Sequence, residues 1–340
     1  MRPKVGIIGA GRMGRRHMTA VRQLGLELAG ICDLDREALA LACQEHQLSS
    51  AQAFGNAEEL LRGARPECVI VSTTAPSHAE LGCLAAAAGA RYILCEKPMA
   101  TSLAECDALL EAAQRSGARL AVNHPARFTE IYREAKRVVE SEAFGGLTSV
   151  TMVAGNIGLA MNSTHLFEMF RFTTGEAPRE VTAWFSPGTF PNPRGPQFDD
   201  RAGSVRLTTA GGKRFYLEAG SDQGHGFTMV YAGRFGQLLV EGLAGEMRLI
   251  VRKDSERHQP LTRYACPADE RAWKVSSSDA VAGSRAVLEA LLKGENFPSG
   301  EEGRLAIEVL VAAYVSHENG HVAVRLPETP LPRERRFPWP

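Results

Sequence analysis

Short apolar runs alternate with amphipathic stretches along the first third of the chain. Lys4–Ile8, Leu28–Cys32, Cys68–Val71, Tyr92–Cys95 and Leu120–Val122 are almost wholly apolar and three to five residues long. Between them lie helical patterns over Arg12–Leu24, Asp35 to about His46, a stretch opening at Asn56, and Ser77–Ala88. Asn56 is a favourable N-cap with Glu58 and Glu59 in the first turn behind it. Gly89 falls where the fourth helix would be capped. Ser102-Leu103-Ala104-Glu105 has the capping-box pattern and opens a fifth helix that Gly117 ends. Strands apolar on both faces and separated by helices predict a parallel sheet covered on both sides, a doubly wound α/β domain over residues 1–123.

The rhythm changes after Asn123. Thr129–Glu140 reads as an amphipathic helix, Leu147–Ala154 as a strand and Asn162–Thr173 as a helix closed by Gly175. From Val181 to Val251 the pattern is of antiparallel strands, with hairpin turns at Ala210-Gly211-Gly212 and Ala244-Gly245. Helices over Asp279–Lys293 and Gly300–Ser316 precede a last strand at Val322–Leu326. This predicts an α+β domain with an open, mostly antiparallel sheet over 124–330, then an irregular tail over 331–340. Few helices are available to cover both faces of that sheet, so one face is expected against another subunit.

Composition narrows the class. The chain has 340 residues, 44% of them apolar, with 39 Lys plus Arg against 39 Asp plus Glu. Two domains are expected, and the neutral balance argues against a nucleic-acid partner. There is no apolar stretch of membrane-spanning length, and the opening run Val5–Ala10 is too short and glycine-broken for a signal peptide. The seven cysteines show no CxxC pair, which reads as buried, reduced thiols in a cytoplasmic protein.

Candidate chemistry begins at Gly9-Ala10-Gly11-Arg12-Met13-Gly14. A G-x-G-x-x-G run carries meaning only between a strand and a helix, and that is its place here. Gly9 permits the tight turn, Gly11 lets backbone approach a pyrophosphate, and Gly14 lets helix pack on strand, the fingerprint of a Rossmann dinucleotide site. The helix start then faces the anion. Asp33 closes the second strand, 19 residues after Gly14. A carboxylate there accepts hydrogen bonds from the adenosine ribose and repels a 2′-phosphate, which favours NAD. Arg12 and Arg36 keep NADP open as the alternative. Glu96-Lys97-Pro98 follows the Tyr92–Cys95 strand, at the carboxyl edge that borders the ligand crevice. A lysine walled in by apolar surface has a lowered pKa and exchanges protons near neutrality.

Together, Gly9–Gly14, Asp33, the segment Thr73-Thr74-Ala75-Pro76-Ser77-His78 and Glu96-Lys97-Pro98 resemble the Gfo/Idh/MocA oxidoreductases, a family that includes glucose-fructose oxidoreductase and inositol dehydrogenases. The resemblance continues through Asn123–Phe128, Gly158–Glu168, Ser299-Gly300-Glu301 and Ser316-His317. It implies that Met13, Thr73, Thr74, Pro76, His78 and Asn123 join the loop around the dinucleotide. It implies that Glu96 and Lys97 sit near the nicotinamide, with Lys97 the proton-transfer residue. His165 matches a second-domain histidine beside Lys97, Glu168 is placed to hold its other ring nitrogen, and Arg127 matches a position near the pocket mouth. One position departs: Met161 stands where an aspartate is usual, and Asn162, one residue later, is the polar replacement. Lys97, Arg127, Asn162 and His165 are therefore the expected substrate contacts. The histidines lack metal-ligand spacing, so no metal is expected.

Three functions follow. The leading one is an NAD(P)-dependent dehydrogenase acting on a secondary alcohol or ketone of a sugar, inositol or related polyol. The second is a glycosidase-type hydrolase with transient redox, and the third a nucleotide-binding sensor without turnover.

Overall fold

The computed structural model describes residues 2–188, 191–262, 266–277 and 279–340. The first half alternates as the apolar runs require: β1 (Val5–Ile8), α1 (Arg12–Gln23), β2 (Leu28–Cys32), α2 (Arg36–Glu45), β3 (Ala53–Phe54), α3 (Ala57–Ala64), β4 (Cys68–Val71), α4 (His78–Ala87), β5 (Tyr92–Cys95), α5 (Leu103–Ser116) and β6 (Arg119–Val122). The six strands lie parallel in the order β3-β2-β1-β4-β5-β6. Order reverses at β1/β4, so the crevice of this sheet opens at the carboxyl ends of those two strands.

Caps set the helix ends. Asn56 accepts from Glu59 N, and Ser102 from Glu105 N. The predicted capping box at Ser102 closes only halfway: the Glu105 carboxylate turns to Thr101 N and Oγ1 instead. Asp35, expected inside the second helix, caps it from outside.

The second half holds α6 (Glu130–Val139), β7 (Leu147–Val153), α7 (Thr164–Thr174), β8 (Pro178–Phe185), β9 (Gly203–Thr209), β10 (Arg214–Ala219), β11 (Thr228–Gly233), β12 (Gly236–Glu241), β13 (Glu246–Arg252), β14 (Ala268–Lys274), α8 (Ala280–Lys293), α9 (Gly300–Glu318) and β15 (Val324–Arg325). Nine strands form one sheet, β14-β13-β12-β11-β7-β10-β9-β8-β15, antiparallel except where β7 meets β10. The turns at Gly211-Gly212 and Gly245 join β9 to β10 and β12 to β13. Between β8 and β9 the expected strand pattern gives way to an irregular crossing, of which Thr189 and Phe190 lie outside the described residues.

The inner strands of this sheet turn alternate residues inward. Val150, Met152, Val181, Ala183, Phe215 and Leu217 are buried, while Val153, Trp184 and Tyr216 on the opposite face are exposed. The two last helices return to the first domain. Val287, Leu288 and Leu291 of α8 share a core with Val5, Ile7 and Ile31, and α9 packs on both β6 and β8. The tail is irregular, as its sequence implies, yet it is anchored: Trp339 is fully buried.

Candidate active site

The glycine run folds as its spacing requires. Gly9 has φ +103°, and a Cβ there would lie 2.8 Å from the Ser72 backbone. A Cβ on Gly14 would lie 1.9 Å from the Gly9 carbonyl, so only glycine lets α1 start against β1. Among the described residues nothing fills the space above Gly11, and no side chain caps the helix start. Ser72 Oγ, absent from the sequence reading, holds the loop through the Ile8 and Gly9 carbonyls. Asp33 Oδ2 accepts Ala10 N at 2.6 Å and Oδ1 accepts Asp35 N at 2.9 Å. Each oxygen keeps a further lone pair for a ribose hydroxyl.

A cleft of about 580 Å³ lies over this loop, lined by Gly9, Gly11, Arg12, Met13, Asp33, Ser72, Thr73, Thr74, Met161, Pro193 and Arg194. An uncapped helix start, open space over Gly11 and a carboxylate at the β2 end fit a dinucleotide. Pro76 is exposed one turn beyond. His78 stands behind the wall, buried, with its ring nitrogens on the Pro98 and Thr73 carbonyls at 2.8 and 3.2 Å.

Glu96 turns inward at the end of β5. It is 4% exposed, and its Oε1 accepts from His17 Nε2 at 2.8 Å and Asn123 Nδ2 at 2.7 Å. Burial opposes its charge, but the His17 contact, Lys97 and Asn123 outweigh burial and hold its pKa at about 2. Glu96 Oε2 also accepts Lys97 N at 3.3 Å, so the carboxylate braces the Lys97 backbone, and Asn123 is pinned in turn to Ser284 of α8. The Lys97–Pro98 peptide is cis.

Lys97 Nζ donates to the Met161 carbonyl. Burial, helped by Arg194 and Arg12, lowers its pKa to about 8, against the opposing pull of Glu96 and Asp200. His165 lies beside it, half-buried, and meets His124 edge-on with ring centroids 5.2 Å apart. Burial, the Lys97 charge and His124 keep His165 well below its ordinary pKa. His124, which the sequence reading passed over, is driven to about 3 mainly by burial. Both its ring nitrogens are buried without a hydrogen-bond partner among the described residues. Two neutral imidazoles therefore stand behind an amine that titrates near neutrality.

Three expectations meet a different geometry. Glu168 does not hold His165; its Oε1 takes Arg127 and Arg171 across the helix. Arg127 is buried rather than at a pocket mouth, paired with Glu168 and Glu302 and donating to the Phe297 carbonyl at 3.2 Å. Asn162 spends its amide on the Ile157 carbonyl within its own turn. The helix predicted from Asn162 begins at Thr164, preceded by a π-turn over Leu159–Ser163. Met161, from that turn, reaches the cleft instead.

Residues 3–124 match the GFO_IDH_MocA model, described as an oxidoreductase family with an NAD-binding Rossmann fold. The D-apiose dehydrogenase of Paraburkholderia graminis is 30% identical over 197 residues, 53% of this chain and 52% of that protein. The inositol 2-dehydrogenase of Salmonella paratyphi B is 27% identical over 145 residues, 42% of this chain and 43% of that protein. The chain thus spans about half the length, or less, of these curated relatives. The fold extends further. An Agrobacterium radiobacter oxidoreductase, solved with NAD+, L-tartaric acid and magnesium, superposes with TM-score 0.80 at 20% identity, covering 96% of this chain and 98% of that one. The WlbA dehydrogenase of Bordetella pertussis, solved with NADH and UDP-GlcNAcA, gives 0.74 at 22%, covering 97% and 100%. Among the described residues no helix is long and apolar enough to cross a membrane. The N-terminal domain, with the glycine loop and Asp33 arranged as above, thus matches the Gfo/Idh/MocA oxidoreductase family.

Proposed function

We propose that the protein is an NAD-dependent dehydrogenase acting on a secondary alcohol or ketone of a sugar, inositol or related polyol. The observation that carries this reading is Lys97: an amine just past the end of β5, held on the carbonyl of Met161 at the wall of the cleft, where burial draws its pKa to about 8. NAD, when bound, supplies the hydride acceptor or donor. The chain's own part is to bind, orient and move a proton. The loop Gly9–Gly14 and the start of α1 would receive the pyrophosphate, and Asp33 the adenosine ribose. Lys97 Nζ takes the hydroxyl proton during oxidation and returns it during reduction. His165, neutral, offers a donor or acceptor to the same substrate oxygen.

The relatives' names, inositol and apiose dehydrogenases, support the substrate class. A panel of sugars, inositols and sugar acids with NAD and NADP, read at the reduced-cofactor absorbance, tests it. Cofactor retained through purification with no net absorbance change during turnover would favour the hydrolase. Assembly into a homodimer or homotetramer through the exposed sheet face around Trp184 and Tyr216 belongs to the same reading; a monomer in sedimentation contradicts it.

Asp33 sets the cofactor preference. Asp33→Asn keeps an acceptor for Ala10 N and removes the charge that repels a 2′-phosphate. The ratio of NADP to NAD affinity is expected to rise on the order of tenfold, about 1.4 kcal/mol. Asp33→Ala also frees Ala10 N and should weaken both cofactors. Tighter binding of NADP than NAD by the parent protein would contradict the assignment.

A further inference from the structure

The irregular crossing between β8 and β9 ends at Asp199 and Asp200, over the π-turn that carries Met161. Asp200 Oδ1 accepts Ala160 N at 2.7 Å and Oδ2 accepts Met161 N at 2.8 Å. The carbonyl of that same Met161 takes Lys97 Nζ. One residue therefore joins the carboxylate to the amine through its own backbone. The turn is built to admit the carboxylate: Gly158 has φ +71°, and a Cβ there would lie 2.1 Å from Asp200 Oδ2.

Asp200 is itself held from the far end of the chain. Asp199 N donates to the Pro338 carbonyl at 2.8 Å, and Phe337 N to the Thr101 carbonyl at 2.9 Å. Trp339 stacks on Phe337 at 4.6 Å, and its Nε1 donates to Tyr314 Oη at 3.2 Å. The aromatic strap fixes the loop against α9 and the first domain.

We infer that Asp200 is a positioning residue for Lys97: it fixes the Met161 carbonyl on Nζ and sets a negative charge near the amine. The inference rests on Lys97 as the proton-transfer group. Charged and titratable groups around the pair are Glu96, Arg12 and Arg194 near Lys97, with Asp199 beside Asp200 and with His165 and His124 behind the amine. Burial raises the Asp200 pKa to about 6, so the group is charged where Lys97 titrates. Its charge favours the ammonium form and so raises the Lys97 pKa.

The test is the pH profile of kcat/KM for alcohol oxidation, which needs neutral Lys97 and therefore rises through its pKa. Asp200→Asn is expected to move that rise down by about one unit from about 8, to lower kcat about tenfold through loss of alignment, and to leave NAD affinity unchanged. Asp200→Glu should restore the position of the rise in part. Gly158→Ala, which drives the carboxylate off the turn, should shift the profile in the same direction and serves if Asp200→Asn is unstable. An unmoved rise in folded Asp200→Asn, with Lys97→Ala inactive, overturns this inference alone. An active Lys97→Ala overturns the reading beneath it.

Discussion

Lys97→Ala is expected to lower kcat by about 10² to 10⁴, the range for removing a general acid or base, while NAD affinity stays within roughly tenfold. The asymmetry follows from the geometry. The glycine loop is held through Ser72 and Asp33, not through the amine. Nζ donates to the Met161 carbonyl, and Met161 rather than Lys97 lines the cleft, so removing the amine leaves the wall of the cleft standing. The parent rate of alcohol oxidation should rise with pH through about 8, because the amine must be neutral to accept a proton. That limb should vanish in the variant. His165→Ala should cost less, since the imidazole orients rather than carries the proton. If both groups meet one substrate oxygen, the two losses should not add. Turnover of Lys97→Ala within about threefold of the parent, far below the cost of a lost acid or base, would move proton transfer elsewhere, with His165 first in line.

Arg127→Ala is expected to destabilise the fold by about 3–5 kcal/mol, the cost of stranding a buried charge, with little change in KM. The Arg127 side chain is 4% exposed, and Glu168 is wholly buried against it. Without Arg127, Glu168 retains, among the described residues, Arg171 at 3.3 Å as its one charged partner. Arg171 is already engaged with Glu302 at 2.6 Å, so it cannot fully compensate. The partners join the end of β6 to α7 and α9, so the loss should appear as a lower denaturation midpoint. Arg127→Met with Glu168→Leu should recover much of it, because an apolar pair leaves no orphaned charge. A rise in KM without loss of stability would instead return Arg127 to the substrate pocket.

What the sequence disclosed was local. Strands β1, β4 and β5 are buried on both faces and read as unbroken apolar runs. Gly14 and Gly117 declare themselves because a side chain or a negative φ is forbidden there. Asn56, Ser102 and Gly175 mark helix ends through bonds a few residues long. Strand β14 was hidden because it is an edge strand with nearly every side chain in solvent, so Ala268–Lys274 shows no alternation. Arg127 could not be placed because its partner Glu302 lies 175 residues away. Asp200 and Arg194 come from an irregular crossing with no period to read, and only folding brings them to Lys97. Trp339 sits in a proline-rich tail that looks solvent-exposed by composition, yet Tyr314 and Phe337 enclose it.

The central claim is hydride exchange between the substrate carbon and the nicotinamide, with Lys97 moving the proton. Its most direct test is isotope transfer with a panel substrate deuterated at its carbinol carbon, NAD in excess, and mass spectrometry of the recovered cofactor. Deuterium is expected in the reduced nicotinamide, at a rate that falls with Lys97→Ala. Product formed while the cofactor stays unlabelled would contradict it.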